Sequence, residues 1–173
     1  KDYFFTTSQV ANQNLAQLGV HKDKVFFVGN TMIDSLLGNL DRLQEPTFYV
    51  EQNLKQKGYL VATLHRPSNV DDPANLFKLM SIIDAHCGDK KVIFPMHPRT
   101  KKIFDDLGLS LNKVFITTPM PYLEFIYTIK SSAGIITDSG GITEEATVLG
   151  IPCMTLRDST ERPETVTIGT NEM

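Results

Sequence analysis

Five nearly unbroken apolar runs, GYLVATLH, KVIFPM, KVFITT, GIITD and PCMTL, recur along the chain, each separated from the next by a segment with helical spacing. A strand apolar along its whole length is buried on both faces. Such strands in alternation with helices predict an α/β architecture, a parallel sheet with helices on both faces. The intervening segments carry helix signals. Leu76, Leu79, Met80 and Ile83 recur at helical spacing in ANLFKLMSIIDAHC, YLEFIYTIKSS follows Pro121, and TKKIFDDLG stops at glycine. Ahead of them, TTSQVANQNLAQLG reads as a helix with a Thr or Ser cap and a glycine stop. VFFVG reads as a short strand, TMIDSLLGNL as a helix opened by Asn30 or Thr31, and RPSNVDDP as a loop. Residues 1–45 are therefore expected to form a linker or crossover segment of strand and helix, and residues 46–173 the sheet domain. Both ends, KDYFF and TIGTNEM, read as cuts through a larger protein.

Composition narrows the partners. A net charge of −3 leaves no basic stripe to neutralise phosphates, which argues against a nucleic-acid module. No apolar run approaches a membrane span, and the opening has no signal-peptide pattern. Cys87 and Cys153 lie far apart, without a CxxC partner or a Cys/His cluster, so no metal site is expected. Cys153 in IPCMTL reads as core filler, and a reduced, cytoplasmic setting follows.

In open parallel sheets ligands bind beyond the carboxyl ends of the strands, where the strand order reverses. With GYLVATLH as strand 1, an order of 3-2-1-4-5 makes strands 1 and 4 neighbours at that point, and His65 would face Ser139 across one crevice. The residues at this seam, Asp138-Ser139-Gly140-Gly141, suit an anion. Two glycines let a ligand approach the backbone, and a helix start supplies unpaired N–H groups with partial positive charge. Ser139 could cap the helix or donate to a phosphate oxygen, and the seam alone leaves the two readings even. A nucleoside diphosphate would fit both halves of the stretch, with diphosphate at the glycines and the ribose diol at a glutamate. Glu144 reads as a solvated helix residue.

His65 and Arg66 in TLHRPSN stand at the expected switch point, where a histidine can donate to phosphate or carry a proton and an arginine can pair with an anion. His97 and Arg99 in PMHPR repeat the arrangement and read as loop architecture, and His21 and His86 as surface residues. The charged run Arg157 to Glu164 reads as a loop with local salt bridges, or as the mouth of the crevice.

VGNTMID, TLHRPSN, TDSGGITEEATVLGIPCMTLRDSTERPE and the closing GTN together resemble the UDP-N-acetylglucosamine 2-epimerases over nearly the whole chain. The resemblance implies the Rossmann-like, carboxyl-terminal nucleotide-binding half of a glycosyltransferase-B-like two-domain isomerase, with the amino-terminal domain absent. It implies interconversion of UDP-GlcNAc and UDP-ManNAc by elimination of UDP to a 2-acetamidoglucal and re-addition, with no nicotinamide or metal. By matching position, Ser139, Gly140 and Gly141 would hold the diphosphate, Glu145 the ribose, and His65 would stand near the leaving group. Arg157, Glu161 and Arg162 match a loop near sugar and nucleotide, with less defined roles; Arg66 and His97 remain lesser candidates from their strand-end positions. The chain departs from the family's common pattern at Ser68, where glutamate is frequent. The acidic proton-transfer residues of the family lie on the other domain, so the fragment is expected to bind UDP weakly and not to epimerise. A homodimer of the full-length form is compatible with the resemblance. A sugar-nucleotide glycosyltransferase, a hydrolysing epimerase releasing ManNAc and UDP, and a sugar-nucleotide sensor remain as alternatives on the same architecture.

Overall fold

The computed structural model describes residues 2–108 and 110–173. The chain divides into two compact units, Lys1–Leu40 and Asp41–Met173. In the first, β1 (Phe4–Thr6) and β2 (Val25–Phe27) pair in parallel, with Phe4 opposite Val25. Between them runs α1 (Gln9–Gln17), and α2 (Thr31–Asn39) follows. Ser8 caps α1 by accepting from the Ala11 N–H at 3.2 Å, and Asn30 caps α2 by accepting from the Met32 N–H at 3.0 Å.

The second unit is built on six parallel strands. In chain order its elements are α3 (Thr47–Glu51), β3 (Tyr59–Thr63), α4 (Pro67–Val70), α5 (Pro73–His86), β4 (Lys91–Pro95) and α6 (Pro98–Asp106). There follow β5 (Val114–Thr117), α7 (Tyr122–Ser131), β6 (Gly134–Thr137), α8 (Gly140–Leu149), β7 (Cys153–Thr155), α9 (Pro163–Thr167) and β8 (Asn171–Glu172). The strands lie in the order β5-β4-β3-β6-β7-β8. This is the anticipated order with one strand added, and it reverses between β3 and β6.

Strand parity separates the two faces. Ala62 and Leu64 pack with Val92, Phe94 and Met96, and with Leu76, Met80 and Ile83 of α5 and Phe104 of α6. Tyr59, Val61 and Ile93, of opposite parity, pack with Phe48 and Tyr49 of α3 and Phe125 of α7. Tyr59, Val61, Ala62, Val92, Ile93 and Phe94 are all 0% exposed, which accounts for strands apolar along their length. Each Val, Ile or Phe side chain among them contributes about 1.5–3 kcal/mol of burial. The Tyr59 hydroxyl retains a partner by donating to the Thr128 carbonyl at 2.6 Å.

Several elements escape the sequence pattern. Four residues of the expected loop form α4, where Pro67 provides a preset first helical position. The short α3 and α9 and the two-residue β8 have too few residues to show a period. Strand β8 is held from its side chain as much as its backbone. Buried Asn171 accepts from the Thr155 hydroxyl at 2.7 Å. Just before it, a Cβ on Gly169 would stand 2.3 Å from the Thr165 carbonyl oxygen, so the glycine of the GTN segment is required by packing.

Candidate functional site

The register of the two central strands brings the site together. Pairing of β3 with β6 runs from Leu60↔Gly134 to Thr63↔Thr137, and the two threonine hydroxyls meet at 2.6 Å. Just beyond, Asp138 points its fully buried carboxylate at the end of β3. It accepts from the His65 N–H at 3.2 and 3.1 Å, the Arg66 N–H at 2.9 Å and the Asn69 side-chain amide at 3.0 Å. The His65 ring Nδ1 lies 2.8 Å from Asp138 Oδ1, while 61% of the His65 side chain is exposed. The Arg66 Nε–H donates to the Asp138 carbonyl oxygen at 3.0 Å. The strand ends do lie side by side as expected, but the residue that touches His65 is Asp138.

Helix α8 begins at Gly140, one residue past the N-cap Ser139. The Ser139 side chain makes no capping hydrogen bond. The purely architectural reading of that serine loses its main support, and the first-turn N–H groups of α8 retain the donor capacity that suits an anion. The far end of α8 closes at Gly150 in the left-handed conformation, φ 67°.

Charged groups from the loop after β7 lie over this helix start. A Cβ on Gly140 would stand 2.8 Å from Glu161 Oε1 and 3.7 Å from Arg157 Nη1. Glu161 pairs with Arg157 at 2.7 Å and with Arg66 at 3.6 Å. The hydrogen bond from Arg157 holds the Glu161 carboxyl below the usual carboxylate range. Arg157 is largely buried, 12% exposed, and its Nη1 makes no hydrogen bond. A cavity of about 670 Å³ beside this cluster is lined by Arg66, Asn69, Asn75, Thr155, Arg157 and Ser159 among others. A separate apolar cavity of about 520 Å³, lined by Leu60, Ile83, Ile136 and Met154, follows the sheet face and holds no such cluster of charges.

The two glutamates of α8 differ. Glu145 is buried, and the Tyr122 hydroxyl donates to its Oε1 at 3.1 Å. Burial pushes the Glu145 carboxyl above its ordinary range, against the pull of that hydrogen bond. The Tyr122 hydroxyl is pushed up to about 12 by burial and by the neighbouring carboxylate. Glu144 was expected to be solvated. Instead its side chain is only 11% exposed and pairs with Arg162 at 3.3 Å, because α9 folds its cap residue onto α8. His97 stands apart from this constellation. Its ring accepts from the Arg99 N–H at 3.3 Å as the N-cap of α6.

Asn69 and Tyr122 are members that sequence reasoning passed over, and Asp138 was named only as part of the seam, without its contact to His65. The position of Asp138 directly after an apolar strand, beside the strand carrying His65, is a signal that could have found it. Tyr122 has no such signal, since its partner lies 23 residues away. No group of three or more His, Cys, Asp or Glu side chains among the described residues could hold a metal ion, and no described helix is long and apolar enough to cross a membrane.

A Rossmann-like domain with an anion-suited helix start and a His–Asp pair at its switch point is the class this geometry defines. The family model described as UDP-N-acetylglucosamine 2-epimerase matches residues 2–173. The UDP-N-acetylglucosamine 2-epimerase of Methanocaldococcus jannaschii is 41% identical, over 98% of this chain and 49% of its own. A UDP-2,3-diacetamido-2,3-dideoxy-D-glucuronate 2-epimerase of Pseudomonas aeruginosa is 38% identical, over 98% of this chain and 48% of its own. The solved M. jannaschii UDP-GlcNAc 2-epimerase in complex with UDP-GlcNAc and UDP matches with a TM-score of 0.84 and 39% identity, over 99% of this chain and 49% of that one. Staphylococcus aureus MnaA with UDP matches with a TM-score of 0.83 and 31% identity, over 99% and 46%.

The chain therefore belongs to the UDP-N-acetylglucosamine 2-epimerase family, and its fold is the C-terminal, Rossmann-like half of the glycosyltransferase-B-like architecture of those enzymes. It spans about half the length of the curated relatives it matches.

Proposed function

We propose that this chain forms the UDP-holding half of an enzyme that interconverts UDP-GlcNAc and UDP-ManNAc. The observation that carries the reading is the start of α8, whose N-cap serine makes no cap bond, beside the His65–Asp138 pair at the switch point. The diphosphate lies on Ser139, Gly140 and Gly141, where N–H groups and the helix dipole meet its charge. Arg66 and Arg157 stand close enough to share that charge. Glu145 accepts from the ribose hydroxyls, held in place by Tyr122.

The reaction is an elimination followed by its reverse. A base removes the C2 proton, the C1–O bond breaks, and UDP departs with the bonding pair to leave a 2-acetamidoglucal. UDP then adds back at C1 while a proton reaches C2 on the opposite face. In this chain the α8 start and the arginines stabilise the departing diphosphate, and His65 exchanges a proton with it. The acids and bases at C2 come from outside this chain. A cytoplasmic setting and a homodimer of the complete protein go with this reading.

The test is turnover of UDP-GlcNAc by the complete protein in deuterated water. The expected products are UDP-ManNAc and UDP-GlcNAc carrying deuterium at C2. Turnover without deuterium at C2 would sink the elimination, and free ManNAc as the main product would replace it with a hydrolysing reaction. The 173-residue chain alone is expected to bind UDP weakly and turn over nothing.

A further inference from the structure

The proposed chemistry gives His65 a proton to exchange but leaves open which ring nitrogen does it. The surroundings of Asp138 decide this. Its Oδ2 receives the Arg66 N–H and the Asn69 amide, and both its oxygens lie near the His65 N–H. Every one of these neighbours is a donor, so the carboxylate acts only as an acceptor. The ring Nδ1, 2.8 Å from Oδ1, must then be a donor as well. That places the proton of a neutral ring on Nδ1 and leaves the lone pair on Nε2, on the side of the ring turned away from the buried carboxylate. We propose that Asp138 is a positioning residue that fixes this tautomer and aims Nε2 of His65 into the crevice over α8. The geometry stands without the proposed reaction; its consequence for turnover rests on it.

The same contacts say what an isosteric change would do. In Asp138→Asn the amide oxygen belongs at the Oδ2 position, where the Arg66 N–H, the Asn69 amide and, at 3.1 Å, the His65 N–H converge. The amide NH2 then occupies the Oδ1 position and faces the ring Nδ1. Two donors cannot face each other, so the ring proton moves to Nε2. A neutral ring with Nε2–H presents no lone pair to the crevice and cannot take a proton there. Ring orientation and the backbone around it change little, because the amide keeps the size of the carboxyl group.

The experiment uses the complete protein labelled with 15N-histidine, with His65→Gln to assign the His65 signals. The wild-type ring is expected to read as Nδ1–H, and the Asp138→Asn ring as Nε2–H. With UDP-GlcNAc as substrate, kcat of Asp138→Asn is expected to fall on the order of a hundredfold or more, while the Kd for UDP stays within about threefold. A wild-type ring carrying its proton on Nε2 would overturn the proposal, and this arm holds even if the variant fails to fold. A variant that switches tautomer and keeps its kcat would overturn it equally. Absence of any UDP-GlcNAc turnover by the wild type would sink the proposed function instead, leaving the tautomer to its own spectrum.

Discussion

Two nearly matching segments end neighbouring strands and reach opposite outcomes. His65-Arg66-Pro67 follows β3 and His97-Pro98-Arg99 follows β4, and in each case the proline opens a helix. The His65 ring lies against a buried carboxylate and donates through Nδ1. The His97 ring accepts through Nδ1 from the Arg99 N–H and serves as a helix cap, so its neutral form carries the proton on Nε2. Arg66 is joined to Asp138 and Glu161, whereas Arg99 pairs with the exposed Asp71, at 3.1 Å. Composition does not separate the two segments. What separates them is the neighbour each strand end has across the sheet. At β3 that neighbour is β6, with Asp138 and the start of α8 behind it.

The largest effect that tests this contrast is on turnover. His65→Ala in the complete protein is expected to lower kcat for UDP-GlcNAc by about a hundredfold or more, the usual range for a positioned acid–base group. His97→Ala is expected to lack a loss of that size and to cost stability instead, about 1 kcal/mol, as the loss of a cap does. Comparable losses of kcat in the two variants would erase the distinction. A second pair moves the same contrast to stability. Asp138→Ala takes the buried acceptor away from the His65 and Arg66 N–H groups and leaves the Asn69 amide to the Leu156 carbonyl at 3.3 Å, for a loss of about 3 kcal/mol in urea unfolding. Asp71→Ala, which removes an exposed partner, is expected to cost at most about 0.5 kcal/mol.

The fold was largely legible because its strands are buried on both faces and so are apolar without interruption. The parallel sheet covered on both faces followed from that, whereas the order of β3 to β7 had to be assumed; the sheet has that order, and it brings together the strand ends that carry His65 and Asp138. The helix start was legible where it depends on backbone and position, and α8 opens at Gly140 behind its N-cap Ser139. The site was less legible where a side chain is defined by a distant partner. Glu144 and Glu145 are adjacent and identical, and only the fold shows that one meets Arg162 and the other Tyr122. Strand β8 was missed because two residues carry no period, and its anchor is a side-chain contact between Thr155 and Asn171.

Glu145 extends the comparison from the strand ends into the helix behind them. Its folded-state carboxyl is raised by burial, so the native state resists losing that proton. The sign follows: its contribution to stability is fully present below the unfolded pKa and is lost as pH rises through the higher folded value. Glu145→Gln should abolish that loss and melt at a higher temperature than wild type near neutral pH. The same change should weaken UDP binding about tenfold if the carboxylate accepts from the ribose. A variant that is more stable and binds UDP as well as wild type would remove Glu145 from the nucleotide site while leaving its burial intact.

The smallest effect expected is at Glu161, and it has the opposite sign. Its carboxylate lies between Arg157 and Arg66 and beside Gly140, close to where the proposed diphosphate would sit. Arg157 keeps it charged through mild acid, so it competes with an incoming anion for the same guanidinium groups. Glu161→Gln keeps the shape and removes the charge, and UDP should bind more tightly. Because 53% of the Glu161 side chain is exposed, the gain is limited to a surface ion pair, about two- to fivefold. The gain should shrink as salt is raised, since exposed charges are screened. Asp71→Asn, which frees Arg99 in the same way at the other strand end, should leave UDP affinity where it was. Titration calorimetry of the three proteins at low and high salt separates the cases. Weaker binding by Glu161→Gln would mean that the carboxylate holds Arg157 in place for the ligand and does not compete with it.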